Sequence, residues 1–326
     1  MLQGKKIVIA GGSGFIGSAM AARWAKDNEL IILSRGKGHN SVNAYGAKKS
    51  SNVQFITWDA QTIGPWTDVL KSAEVLINLC GKSVNCRYTA ANKRDILESR
   101  VHATNVLGAA VRTCTRPPKL WINAASATIY RHAEDRAQDE VSGEMHNDFS
   151  VQVCKAWESA FDAHLLPYTR KAVLRTAIVL GHGGVLTPFR RLVMAGLGGR
   201  QGSGRQMFSW IHIEDLCRIV EWIESTPDSS GTYNASAPCP VPNEAFMCAL
   251  REALGYPAGL PAPAWMLRLG ALLIGTEAEL LLKSRWVVPT RLLAEGFKFQ
   301  HPTIHKALES LFKDKTLIHS LVPATT

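Results

Sequence analysis

The sequence predicts an α/β fold: a doubly wound parallel sheet followed by a smaller, mostly helical C-terminal lobe. Three observations predict it. Short apolar strands alternate with longer amphipathic stretches through most of the 326 residues, the pattern of a parallel sheet covered by helices on both faces. The spacing Gly11-x-x-Gly14-x-x-Gly17 falls between the first strand and the first helix. Beyond "GTYNASAPCPVP" the character changes, and prolines punctuate helical segments as far as Phe312. The expected division is 1–237 for the nucleotide-binding sheet domain, 238–312 for the substrate lobe and 313–326 for a loosely held tail.

"KKIVIAGGSGFIGSAMAARWAKD" reads as a buried strand, a glycine turn and an amphipathic helix. "ELIILSR" is a second strand, and a polar, glycine-bearing stretch follows from Gly36 to Asn52. "VQFITWD" and "EVLINLCG" are the third and fourth strands, and "KLWINAASA" is the fifth. A long helical pattern, Ala90 to Cys114, separates the last two, and "YTRKAVLRTAIVLG" supplies a sixth strand. "FSWIHIEDL" ends a strand and opens a helix, with Asp215 capping or orienting its start. The most apolar tract, Leu260 to Leu282, carries Arg268, Glu277, Glu279 and two prolines. It therefore reads as one or two buried helices and not as a membrane span, which needs about 20 largely apolar residues. It also admits a contact between two copies of the chain, a homodimer.

The net charge of +10 favours anionic partners in general. No zinc-finger spacing, RNP-type aromatic motif or basic heptad helix is present, so nucleic acid is not the expected partner. An anionic cofactor accounts for part of the excess. The seven cysteines are odd in number and form no CxxC pair. That points to reduced thiols in a cytoplasmic protein, without a disulfide framework. The histidines show no HxxxH or His/Cys spacing, so no metal is expected. The apolar start "IVIA" is too short for a secretory signal.

The chemistry gathers at strand ends. The glycine triplet lets backbone N–H groups and a helix N-terminus face a pyrophosphate. The second strand ends in Ser34-Arg35, where NAD sites usually carry an acid for the ribose 2′-OH; an arginine suits a 2′-phosphate instead, with Lys37 assisting. Asp59 follows the third strand and either meets an adenine edge or caps a helix. Ser126 and Tyr130 follow the fifth strand, where open α/β sheets bind ligands; a turn serine and a packed aromatic are the competing readings. Val151 and Lys155 are four apart and share a helix face. Lys155 can hold a nicotinamide ribose or be a solvated helix lysine, and Cys154 beside it reads as packing.

In this order, "GGSGFIG", "SATIY", "KAWE" and "WIHIEDL" resemble the extended short-chain dehydrogenase/reductase superfamily, in its NAD(P)-dependent epimerase/dehydratase group. "LIILSR", "INLCGKSV", "ESRVHATN", "VCKAWE", "VLRTAIVLGHGG" and "VVPTRLLAEGFKFQHPTIHKAL" are similar to one atypical, epimerase-like branch with its own C-terminal segment. The resemblance spans about residues 4–312. It implies a Rossmann-type sheet, NADP (NADPH) as cofactor and oxidoreductase chemistry on a small molecule, without naming the substrate. By resemblance Gly11, Ser13, Gly14, Phe15 and Ile16 form the pyrophosphate loop, which the motif extends to Gly17. Ser34 and Arg35 hold the 2′-phosphate, and Asp59 and Ala60 border the adenine. Leu79, Cys80 and Gly81 line the adenosine ribose side. Ser126 stands where the superfamily has its substrate-polarising serine, Lys155 at its cofactor lysine and Val151 at its tyrosine acid/base. Valine moves no proton. Tyr130, a water held by Lys155, or Lys155 itself must then do so, or the chain binds NADP(H) as a sensor without turnover.

Overall fold

The computed structural model describes residues 2–36 and 52–313. The chain lays down β1 (Lys6–Ala10), α1 (Phe15–Trp24), β2 (Glu29–Ser34), β3 (Val53–Thr57), β4 (Val75–Asn78), α2 (Ala90–Thr113), β5 (Leu120–Ser126), α3 (Phe149–Asp162), β6 (Arg170–Thr176) and β7 (Ile178–Leu180). There follow α4 (Leu186–Met194), β8 (Met207–Phe208), β9 (Trp210–His212), α5 (Ile213–Ser225), β10 (Gly231–Ala235), β11 (Val241–Pro242) and α6 (Asn243–Leu254). The last elements are α7 (Ala264–Ile274), α8 (Glu279–Leu282), α9 (Thr290–Ala294) and α10 (Ile304–Phe312). Seven strands form one parallel sheet in the order β10-β6-β5-β4-β1-β2-β3.

The apolar runs of β1, β2 and β4 do not alternate because both sheet faces are covered. Ile7 and Ile9 pack with Met20 and Trp24 of α1 and Ile219 and Ile223 of α5. Val8 and Ala10 face the other way, toward Leu107 of α2 and Phe161 of α3. A third core joins Phe189 of α4, Phe208, Phe246 of α6 and Leu308 of α10. Phe208 and Phe246 stack with centroids 4.1 Å apart. That core draws on residues from both sides of Ala237.

Three expectations change. The sixth stretch divides at Ala177 into β6 and β7, and β7 pairs with β9. The chain then returns to the sheet as β10, an edge strand on β6 that lies within "GTYNA". Its only large apolar residue, Tyr233, is fully buried, too little for an apolar run to announce a strand. The Leu260–Leu282 tract is two helices broken at Gly275, and one face is open: Trp265, Leu269 and Leu272 are exposed while Leu267 and Ala271 are buried. No helix among the described residues is long and apolar enough to cross a membrane. The stretch Lys37–Ser51 and the tail beyond Lys313 lie outside the described residues.

The C-terminal segment is tied to the carboxyl edge of the sheet. The Gln138 N–H donates to the Trp286 carbonyl (2.7 Å), and the Val288 N–H returns to Gln138 (3.0 Å). Ser209 Oγ donates to the Arg285 carbonyl (2.6 Å). Asp215 does not cap its own helix. His212 does, accepting the Glu214 N–H at Nδ1 (3.1 Å). The buried Asp215 carboxylate instead accepts the N–H groups of Gln300 (2.9 Å) and His301 (2.8 Å) and pairs with Arg218.

Candidate functional site: a glycine-lined nucleotide groove

Four neighbouring strands deliver their carboxyl ends to one edge. Gly11 leaves β1 with φ 77°, and a Cβ there would lie 3.0 Å from the backbone of Leu79 and Cys80. The β1 and β4 loops therefore touch. Gly17 packs α1 onto the turn: an added Cβ would lie 2.4 Å from Gly12 Cα. No side chain caps α1, and its first turn carries no acid, so its N-terminus keeps its positive end for a ligand. Ser13 meets Ser34 through their hydroxyls (3.5 Å). Phe15 rests against the glycines 181, 183 and 184. Ile16 packs on the core beneath.

Arg35 is exposed just past β2, and its charge reaches Cys80. Cys80 is buried, which pushes its thiol up to about 12 and leaves it protonated. Asp59 caps no helix. Its carboxylate closes a tight turn, accepting the N–H groups of Gln61 and Thr62 (2.9 Å each) and the Thr62 hydroxyl (2.5 Å). Those bonds, the Thr62 hydroxyl first, hold it down at about 2. Ala60 follows at φ 63°, a left-handed position unusual for a residue with a Cβ. Beside it opens a cavity of about 450 Å³ lined by Gln61, Thr62, Ile63, His102 and Asn105. Gly81 lies against the Arg100 guanidinium.

At the end of β5, Ser126 Oγ accepts the Thr128 N–H (3.2 Å) and bonds the Thr128 hydroxyl (2.9 Å). It is a turn-capping serine on the sheet edge, half-buried. Tyr130 is not at the edge. It is 1 % exposed, and its hydroxyl donates to Asn234 Oδ1 (2.9 Å) and accepts from Arg175 Nη1 (2.9 Å). Arg175 also holds Glu158 through two bonds (2.9 and 2.8 Å). Burial raises the Tyr130 phenol further. A phenol with both partners filled inside a closed network is a packing residue, so Tyr130 is withdrawn as a proton donor.

Lys155 lies further along α3. It is exposed, and its Nζ donates to the His146 carbonyl (3.2 Å). The α3 residue packed on the segment after β5 is Cys154, which clusters with Ala127, Ile129 and Tyr130. The helix register brings residue 154 against the segment after β5 and leaves residue 155 exposed. Cys154 is pushed up to about 12 by burial, so it is an uncharged thiol. Val151 is fully buried, with no polar side-chain atom.

Sequence spacing missed two features. Lys283, from the C-terminal segment, pairs with Asp148 at the start of α3. His212, Glu214 and His301 bring donor atoms within 4.8 Å of one another, across a separation no motif scan covers. There His301 Nε2 bonds Glu214 (3.1 Å). His212 Nδ1 is already an acceptor, so its Nε2 carries the proton of a neutral ring, the reverse of a metal-ligating nitrogen. Burial, then the nearby His301, pushes His212 down to about 3.

Residues 7–236 match the NAD dependent epimerase/dehydratase family, and residues 262–311 match a domain of unknown function, DUF1731. The chain is similar to the epimerase family protein SDR39U1 of Bos taurus, with 33% identity over 318 residues, 94% of this chain and 99% of the relative. The epimerase family protein ML0860 of Mycobacterium leprae (strain TN) is 33% identical over 304 residues, 93% of this chain and 94% of that protein. The crystal structure of human epimerase family protein SDR39U1 (isoform2) with NADPH has a TM-score of 0.78 at 30% identity, over 94% of this chain and 99% of that one. With its glycine turn, strand order and C-terminal segment accounted for, the chain belongs to the NAD dependent epimerase/dehydratase family.

Proposed function

We propose that the chain is an NADP(H)-dependent oxidoreductase acting on a small molecule in the groove above β5. The observation that carries this is the cradle at Gly11 and Gly17, whose Cα hydrogens leave room for backbone alone. Gly11, Ser13, Gly14, Phe15, Ile16 and Gly17 would hold the pyrophosphate, Ser34 and Arg35 the 2′-phosphate, Asp59 and Ala60 the adenine edge. Leu79, Cys80 and Gly81 would line the ribose side. The human SDR39U1 structure holds NADPH, which supports the same cofactor here. NADPH supplies a hydride when bound. The segment Pro238–Phe312 would close the substrate side of the groove.

Arg35 should make the chain prefer NADPH to NADH. Losing one charge-assisted hydrogen bond costs about 1.5–3 kcal/mol, so Arg35→Ala should weaken NADPH roughly tenfold or more and leave NADH nearly unchanged. Fluorescence titration of both cofactors checks this; equal affinities in the native chain would end the 2′-phosphate assignment.

Ser126 is the hydroxyl left at the edge to hold the substrate oxygen, hydrogen-bonded to the Thr128 hydroxyl, and the proton of the reaction would come from a water molecule. Ser126→Ala should lower NADPH-linked turnover by roughly tenfold without changing NADPH affinity. The burial of Tyr130 and of Val151 favours a second reading, an NADP(H) sensor. A metabolite panel decides: oxidation of NADPH supports the enzyme, and tight binding without turnover supports the sensor.

A further inference from the structure

Three side chains of the stretch "ESRVHATN" in α2 reach toward the turn that follows β4. Ser99 Oγ accepts the Lys82 N–H (2.9 Å). Arg100 Nη1 donates to the carbonyls of Lys82 (3.1 Å) and Ile96 (2.8 Å). Thr104 acts one step further back. Its Oγ1 accepts from Asn78 Nδ2 (3.1 Å), and Asn78 Oδ1 accepts the Cys80 N–H (3.1 Å). Asn78, Thr104 and Asn123 are fully buried, and Asn123 Oδ1 takes the second Asn78 bond (2.7 Å). The turn Cys80–Lys82 is therefore pinned at both ends from one face of α2.

Arg100 also holds the middle of that turn. Its guanidinium lies 5.1 Å from the Trp157 ring centroid. It lies against Gly81 as well, where an added Cβ would be 2.9 Å from Cζ and 3.1 Å from Nη2. Trp157 is itself fixed, donating Nε1 to Thr104 Oγ1 (3.0 Å). Gly81 is nonetheless exposed, and only a glycine lets the guanidinium approach the backbone so closely. The same turn abuts the glycine loop. The Leu79 N–H donates to the Ala10 carbonyl (2.8 Å), and the backbone of Leu79 and Cys80 stands 3.0 Å from a would-be Gly11 Cβ.

An arginine side chain is costly to order and to desolvate. One that only filled space beside Trp157 would need neither its planar donor fork nor a glycine beneath it. Here the fork fixes a carbonyl and the plane covers a glycine of the same turn, next to the strand end that opens into Gly11. We propose that Arg100 is a positioning residue for the cofactor, acting through Gly81 and Lys82 to hold the turn after β4 as a preformed wall of the nucleotide groove. This rests on the NADP(H) reading. A wall that is fixed before the ligand arrives lowers the ordering cost of binding.

Calorimetric titration of NADPH tests it, on the native chain, Arg100→Met, Arg100→Lys, Gly81→Ala and the double variant Gly81→Ala/Arg100→Met. Circular dichroism of the same samples reports the fold. Arg100→Met should weaken NADPH roughly tenfold. Arg100→Lys should weaken it less, because an ammonium keeps a bond to a carbonyl and loses only the planar face. Gly81→Ala should match Arg100→Met, since its methyl group displaces the same guanidinium. The double variant should then be no weaker than either single one, because one contact cannot be lost twice; independent structural losses would multiply. If folded Arg100→Met binds NADPH as the native chain does, or if the two losses multiply, this inference alone is overturned. No saturable binding by the native chain would overturn the cofactor reading and this inference with it.

Discussion

Arg175→Met is expected to lower the stability of the fold by about 3–5 kcal/mol, the usual effect of removing one partner from a buried ion pair. The Arg175 and Glu158 side chains are only 8% and 13% exposed, and they meet through two hydrogen bonds. Methionine fills much of the volume but leaves a carboxylate in the interior. It also strips the Tyr130 hydroxyl of a donor, although Asn234 still accepts from it. Four chain segments share this network: the turn after β5 through Tyr130, α3 through Glu158, β6 through Arg175 and β10 through Asn234. Asn234 in turn donates to the Val288 carbonyl of the C-terminal segment (3.0 Å). Urea unfolding measures the loss. Adding Glu158→Gln should recover part of it, because the stranded charge is gone. A single variant within about 1 kcal/mol of the native chain would show that the pair behaves as a surface salt bridge.

What could be read beforehand follows from what sequence encodes locally. The strands β1, β2 and β4 were legible because both sheet faces are covered, which makes each an unbroken apolar run. The glycine turn was legible because Gly11 and Gly17 answer local steric demands. The face of α3 was less legible. Spacing from Val151 to Lys155 gives distance along a helix, whereas the buried stripe gives its direction. Val151, Cys154, Trp157 and Phe161 are that stripe, and it was available in the sequence as apolar residues at intervals of three and four. Lys155 lies just beyond its edge. Tyr130 could not have been placed the same way, since its partner Asn234 is 104 positions away. The Lys283–Asp148 pair is likewise made by tertiary structure alone.

Gly17→Ala is expected to weaken NADPH on the order of a hundredfold, the equivalent of about 2.7 kcal/mol. The methyl group would meet Gly12 Cα at 2.4 Å, Gly12 O at 2.7 Å and Gly12 C at 2.8 Å. These are backbone atoms of the turn itself, and no side chain can rotate away to make room. Helix α1 must back off from β1, which moves its N-terminus and the Gly11–Gly14 amides away from the pyrophosphate position. A contrast is built into the fold. Gly270 of α7 has nothing within 4 Å of its would-be Cβ, so Gly270→Ala should leave the cofactor untouched and favour the helix by up to about 1 kcal/mol.

The most direct test of a cofactor seated on the glycine turn is equilibrium titration of NADPH into the native chain, Gly17→Ala and Gly270→Ala, with circular dichroism on each sample. The account predicts saturable binding by the native chain and by Gly270→Ala, and a loss on the order of a hundredfold in Gly17→Ala while its secondary structure persists. No saturable binding by the native chain, or equal affinity in Gly17→Ala, would contradict it.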